Sequence, residues 1–247
     1  MKRLSWESKI GLILVALAIA LNGLLYAMYH DVNHIVLWGL TNLAFLPISV
    51  LFVSLILDSF MEKRAKLQKL DKLNMLIGTF FSVAGTRMLR FFASWDVQHG
   101  EICATMTEKE NWTDKNHFEA MKRVLQTRQF RIDDKKADLT ALRDFLAPHT
   151  NFMIRLLENP HLLEHEAFTD VLRSAFHLTE ELKARGDLNT LPESDRTHLG
   201  RDIERVYGHL ALAWVDYMDH LHKEFPYLFS FALRINPFDE KASAIVT

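Results

Sequence analysis

Hydrophobic positions are distributed unevenly along the chain. Two runs, IGLILVALAIALNGLLYAMY (10–29) and IVLWGLTNLAFLPISVLFVSLIL (35–57), contain no charged residue. Each exceeds the roughly 18 apolar residues that mark a membrane-spanning helix. Neither keeps the polar face of a soluble surface helix. The pattern predicts a two-helix transmembrane hairpin over residues 1–57, with spans of about 10–29 and 35–57. Lys2 and Arg3 precede the first run, but it continues well past the small-residue stretch Ala16–Ala20, which argues against a cleaved leader. Lys2, Arg3 and Lys9 stand before the first span, the connector His30–His34 has no Lys or Arg, and Lys63, Arg64, Lys66, Lys69 and Lys72 follow the second. The positive-inside bias then places both termini in the cytoplasm and the chain in the cell inner (cytoplasmic) membrane as a multi-pass protein. Asn22 and Asn42 fall at matching depths, about 10 Å below the outer surface. An interhelical hydrogen bond between them would contribute ~0.6 kcal/mol.

Beyond Leu57 the pattern becomes amphipathic with a helical period. Phe60, Leu67, Leu70, Ile77 and Phe81 form a heptad-like stripe broken by Lys63 and Asn74, which suggests a homo-oligomer. Residues 58–95 read as a juxtamembrane helix, and LIGTFFSVAGTRMLRFF (76–92) is expected to pack on the bundle rather than on the membrane surface. Residues 96–112 read as a loop or hinge. Helices follow from a Thr113 N-cap to Arg128, through 138–158 with a restart at Pro148, from Asn159-Pro160 to about 184, and from about 192 to Phe225. No stretch alternates as a strand does. The predicted class is all-α: the hairpin, followed by a cytoplasmic helical domain over 96–247.

Charge adds little. The 29 Lys and Arg against 31 Asp and Glu give a net charge of −2, without a basic patch interleaved with aromatics, so no nucleic acid is expected as a partner. The single cysteine, Cys103, excludes an internal disulfide and suits a reducing compartment. The phosphate-binding, dinucleotide, nucleophile-elbow and zincin motifs are absent. His99-Gly100-Glu101 has the His-x-Glu start of a zinc deaminase but lacks the cysteine pair such a site requires. No catalytic residue is predicted.

The histidines separate by helical face. His198, Asp202, His209, Asp216 and His220 share a stripe opposite Ile203, Tyr207, Leu210, Trp214 and Met218, which predicts a solvated polar face, and His177 reads the same way. His161 and His165 lie four apart on the face of Phe168, Leu172 and Phe176, and His149 is on the apolar stripe of the preceding helix. With Glu164 these three make a candidate transition-metal set. The alternative is a set of partly buried, hydrogen-bonded histidines near a helix start, with Glu164 favourable to the local dipole. No cofactor is predicted on that reading; a transition metal is the competing one.

LNMLIGTFFSVAGTRMLRFF (73–92) and EFPYLFSFALRINPFD (224–239) resemble segments of uncharacterised prokaryotic membrane proteins with an N-terminal hairpin and a helical cytoplasmic region. The resemblance implies a prokaryotic membrane location and carries over no functional residue. Tyr227, Leu228, Phe229, Phe231 and Leu233 are expected to pack against the bundle. The leading expectation is a membrane-anchored helical interaction or regulatory protein, its partners being the lipid bilayer, a second copy of the chain or a cytosolic protein. Its rival is a membrane-tethered metal- or cofactor-binding bundle.

Overall fold

The computed structural model describes the backbone of residues 6–29, 32–107, 112, 115–163 and 165–246. These residues are helical or irregular, and an isolated antiparallel bridge between Asp96 and Ile132 is the extended pairing among them. The chain divides into two units, Met1–Lys66 and Leu67–Thr247.

The first unit holds α1 (Trp6–Tyr29) and α2 (Val32–Phe80) as far as Lys66. Every side chain described between Leu12 and Met28 and between Val36 and Lys66 is exposed. Among the described residues α2 is long and apolar enough to cross a membrane, while the corresponding stretch of α1, Leu12–Met28, is shorter. The Asn22 side-chain amide donates to the Ala18 carbonyl (2.9 Å) and that of Asn42 to Trp38 (2.9 Å). Each is thus satisfied one turn back in its own helix rather than by the other, because the i−4 carbonyl is always within reach.

The second unit is organised around α10 (Glu193–Glu224), whose Leu199, Ile203, Val206, Leu210, Trp214, Met218 and Leu221 are buried at three- and four-residue spacing. Against it lie α9 (Glu166–Ala184) through Val171, Ala175, Leu178 and Leu182, and α5 (Lys115–Thr127) through Phe118, Met121 and Leu125. A third neighbour is α3 (Thr86–Trp95), which buries Met88, Leu89 and Phe92. Behind α9 stand α6 (Leu139–Leu146) and α7 (Thr150–Leu157), joined by a 3-10 turn at Ala147–His149 where Pro148 interrupts the α-helical hydrogen bonds. Asp138 caps α6 by accepting from the Ala141 amide at 2.8 Å.

Between α2 and α3 the chain makes a π-helical turn, Phe81–Gly85. Its wider turn shifts the phase of the following residues by one position. A Cβ at Gly85 would come within 2.8 Å of both the Phe80 and Phe81 rings, so a bare backbone there lets the two consecutive phenylalanines stay buried. The amphipathic 76–92 segment is accordingly core: Phe80, Phe81, Ala84, Met88, Leu89 and Phe92 are all at most 1% exposed.

Several sequence expectations change. Residues 96–112 are not simply a loop: α4 (His99–Thr107) buries Ile102 and Met106. The helix expected from 160 to 184 is interrupted, because α8 (Pro160–Leu163) ends where the Leu162 carbonyl takes the His165 amide (2.9 Å) and the Thr169 hydroxyl (2.7 Å). The heptad-like stripe is not a continuous free seam, since Ile77 and Phe81 are spent in the unit's own core while Phe60 and Leu70 are exposed. The Leu67 side chain and the Thr113 cap lie outside the described residues. In α11 (Pro226–Arg234), Phe229 and Leu233 pack on the core, whereas Tyr227, Leu228 and Phe231 are exposed, Tyr227 at 72%.

The segment after α11 closes the unit. Phe238 is fully buried with its ring 5.4 Å from Trp214, and the Asn236 side chain donates to the Met106 carbonyl at 2.7 Å. That carbonyl also accepts from the Trp112 indole at 3.2 Å.

Candidate functional site

The three candidate histidines have local roles. His149 Nδ1 lies 2.7 Å from the Phe145 carbonyl, with its ring 4.9 Å from the Phe145 ring. His161 follows Pro160 in α8, and its backbone amide donates to Asn159 Oδ1 at 3.0 Å. His165 is the N-cap of α9, its Nδ1 accepting from the Phe168 amide at 3.2 Å. The pair therefore does not share one continuous helix, and one His165 ring nitrogen is already engaged in capping. Glu164 lies outside the described residues. Among the described residues no group of three or more His, Cys, Asp or Glu side chains is arranged to hold a metal ion.

The polar stripe on α10 is only partly solvated. Asp202 is 3% exposed, because α9 covers it. His198 Nε2 lies 3.4 Å and His177 Nε2 3.8 Å from its Oδ2, while Arg205 approaches Oδ1 at 3.3 Å. Next to them Arg185 forks onto Asp195 at 2.6 and 2.7 Å and reaches Glu181 at 2.6 Å. Hydrogen bonding to this guanidinium holds the Glu181 and Asp195 carboxyls below their usual range. With Arg185 and Arg205 on the carboxylates, the cluster acts as an ionic clasp between α9 and the start of α10. The sequence signal was present: His177 with Glu181, and His198 with Asp202, are both i, i+4 pairs.

A second buried ion pair joins more distant segments. Asp96, with no side-chain exposure, meets Arg128, 7% exposed, at 2.9 Å. The same guanidinium donates to the Gln98 carbonyl at 2.9 Å, and Asp96 accepts from the Gln98 amide at 2.9 Å. This knot holds the Asp96–Ile132 bridge and seats Phe130 edge-on against Tyr207, 4.6 Å between ring centres. Burial raises the Tyr207 phenol well above its ordinary pKa.

The most ligand-like feature is a cleft of about 720 Å³ in the second unit, between the last turns of α2, the π-helical turn, the end of α10 and the start of α11. This volume lies in the range of small-molecule sites, roughly 300–1,000 Å³. Gly78 and Tyr217 form one wall: a Cβ at Gly78 would stand 3.2 Å from Tyr217 Cε2, and Tyr217 stacks on Phe81 with ring centres 5.1 Å apart. At the back Asn74 Nδ2 meets His220 Nδ1 at 3.1 Å. Burial lowers the His220 pKa despite the neighbouring acids Glu224, Asp71 and Asp219, and raises that of Tyr217. Asn74 and Tyr217 also border a smaller cavity of about 240 Å³ that reaches His165 and His209. Sequence reading missed this cleft because its residues come from segments some 140 positions apart in the chain.

Comparison with known proteins finds two family matches. Residues 2–61 match the model described as MJ1433, N-terminal helical domain, and residues 69–234 that of uncharacterized protein MJ1433, C-terminal helical domain. The gap between the matches contains the boundary between the two structural units. The chain is 41% identical over 236 residues to uncharacterized protein MJ1433 of Methanocaldococcus jannaschii, covering 96% of this chain and 94% of that protein. No solved structure matches.

Proposed function

The chain belongs to the MJ1433 family through both its helical domains, and we propose from its own chemistry that it is a membrane-anchored, non-catalytic interaction or regulatory protein. Residues 10–29 and 35–57 form a transmembrane hairpin in the inner membrane, and both termini are cytoplasmic. One observation carries this reading: the described side chains of both stretches are exposed and uncharged. Soluble proteins rarely leave contiguous apolar patches beyond roughly 300–600 Å² uncovered. The lysines and arginines between 63 and 72 support the orientation. The five residues between the two apolar runs, 30–34, leave no room for an external sensor domain, so input reaches residues 67–247 from within the membrane or from the cytosol. The partners are the bilayer and a protein surface, either a second copy or a cytosolic protein.

The test is alkaline carbonate extraction of membranes expressing the full chain, with fluorescent-protein and alkaline-phosphatase fusions at the C-terminal end and in the connector. Retention in the membrane pellet is expected, with fluorescence at the C-terminal fusion and phosphatase activity at the connector. Recovery in the carbonate-soluble fraction would refute the anchoring, and phosphatase activity at the C-terminal fusion would refute the orientation.

A further inference from the structure

The cleft beside Tyr217 has a chemical bias that the anchoring reading does not use. Its walls are apolar, with Met75, Val83, Phe225 and Leu228 lining it while remaining 67, 41, 39 and 39% exposed. Exposed methionine and aromatic side chains around a concave surface suit an apolar guest. Two carboxylates, Asp71 and Glu224, also line it, and none of its lining residues is Lys or Arg. Among the described residues neither acid is salt-bridged to a Lys or Arg, and His220, which also lines the cleft, interacts electrostatically with both. Lys223, next to Glu224 in sequence, is held by Asp219 at 2.5 Å.

We propose that this cleft binds a lipophilic organic cation, an amine or quaternary ammonium group carrying an apolar body. The head sits between Asp71 and Glu224, where Phe225 presents an aromatic ring for cation–π contact. The body lies along Met75, Val83 and Leu228, with the Tyr217 ring as the wall that Gly78 makes room for. An anionic amphiphile is disfavoured by the same two carboxylates, and a neutral one forgoes their attraction. The π-helical turn contributes by bringing Ser82 and Val83 to the cleft while Phe81, Ala84 and Gly85 remain buried. The assignment rests on the second unit alone and stands whether or not the hairpin spans a membrane.

The test titrates the full chain, held in a neutral alkyl maltoside, with hexyltrimethylammonium, hexanol and hexanoate, reading binding by calorimetry. The cation is expected to bind tightest and hexanoate weakest. The double variant Asp71→Asn/Glu224→Gln should weaken cation binding by about fivefold for each carboxylate lost, the upper range for an exposed ion pair, and leave hexanol unchanged. Ser82→Trp, which fills the cleft from an exposed position, should weaken both cation and alcohol at least tenfold without lowering the melting temperature. Adding a lipid with an amine headgroup separates the sources: competition with the probe identifies a membrane lipid, and its absence a water-soluble amine. Hexanoate or hexanol binding as tightly as the cation would overturn the proposal. So would cation affinity unchanged by both the double variant and Ser82→Trp.

Discussion

Replacing Arg128 with methionine isolates what the Asp96 knot contributes. Methionine keeps most of the aliphatic stem against Phe130 and removes the guanidinium, leaving the fully buried Asp96 carboxylate with the Gln98 amide and the neighbouring Tyr207 hydroxyl. Glu101, the other acid on Arg128, is 71% exposed and loses little. Breaking a buried ion pair from one side costs about 3–5 kcal/mol, because the partner charge stays buried without compensation. For a unit of this size about 1 kcal/mol corresponds to roughly 2–4 °C, so Arg128→Met should lower the melting temperature by roughly 6–20 °C. Asp96→Asn should cost less, about 1–3 kcal/mol, since the remaining guanidinium still donates to the Gln98 carbonyl. In the double variant no charge is stranded, and its loss should fall short of the sum of the single losses by at least about 1 kcal/mol. Thermal unfolding of the four proteins, followed by tryptophan fluorescence, completes the cycle. Additivity within about 0.5 kcal/mol would refute the reasoning and make Asp96 and Arg128 independent neighbours.

Three further outcomes are expected. Arg185→Met should lower stability at pH 7, and the gap to the unmodified protein should close as pH falls below about 4. The Glu181 and Asp195 carboxyls are held low by Arg185, so their contribution is present above the unfolded-state pKa and lost as pH drops through the folded values; melting curves from pH 3 to 7 read this directly. His165→Ala should remove the α9 N-cap and cost about 0.5–2 kcal/mol in unfolding experiments. Elemental mass spectrometry of the purified protein should give the same metal content with and without that substitution, and stoichiometric metal lost in the variant would restore the ligand reading of His149, His161 and His165.

Periodicity made α10 legible because its core residues from Leu199 to Leu221 sit on one face over about six turns, and Pro192, Pro148 and Asn159-Pro160 marked real boundaries. It failed where tertiary contacts decide. Asp202 looked solvated because a helical wheel does not contain the neighbouring helix that covers it. The 160–184 stretch looked continuous but breaks where the Leu162 carbonyl is claimed by Thr169, a competition that no spacing rule registers. Ile77 and Phe81 looked free for a partner because the π-helical turn, which re-phases the buried face of the helical run, has no simple sequence signature. The cleft went unseen because Asp71 and Glu224 come to line one cavity only after folding.

The burial of Phe238 and the Asn236 bond to Met106, 130 residues upstream, impose an order on biosynthesis. The Phe238 ring that completes the Trp112–Trp214 cluster leaves the ribosome after every helix it packs against. Until then the core lacks a wall, whereas the apolar stretches that open the sequence have long since emerged. On the proposed anchoring, those stretches would be free to enter a bilayer before the helical unit closes, and a chain stalled before Asn236 would present an open aromatic core to quality control.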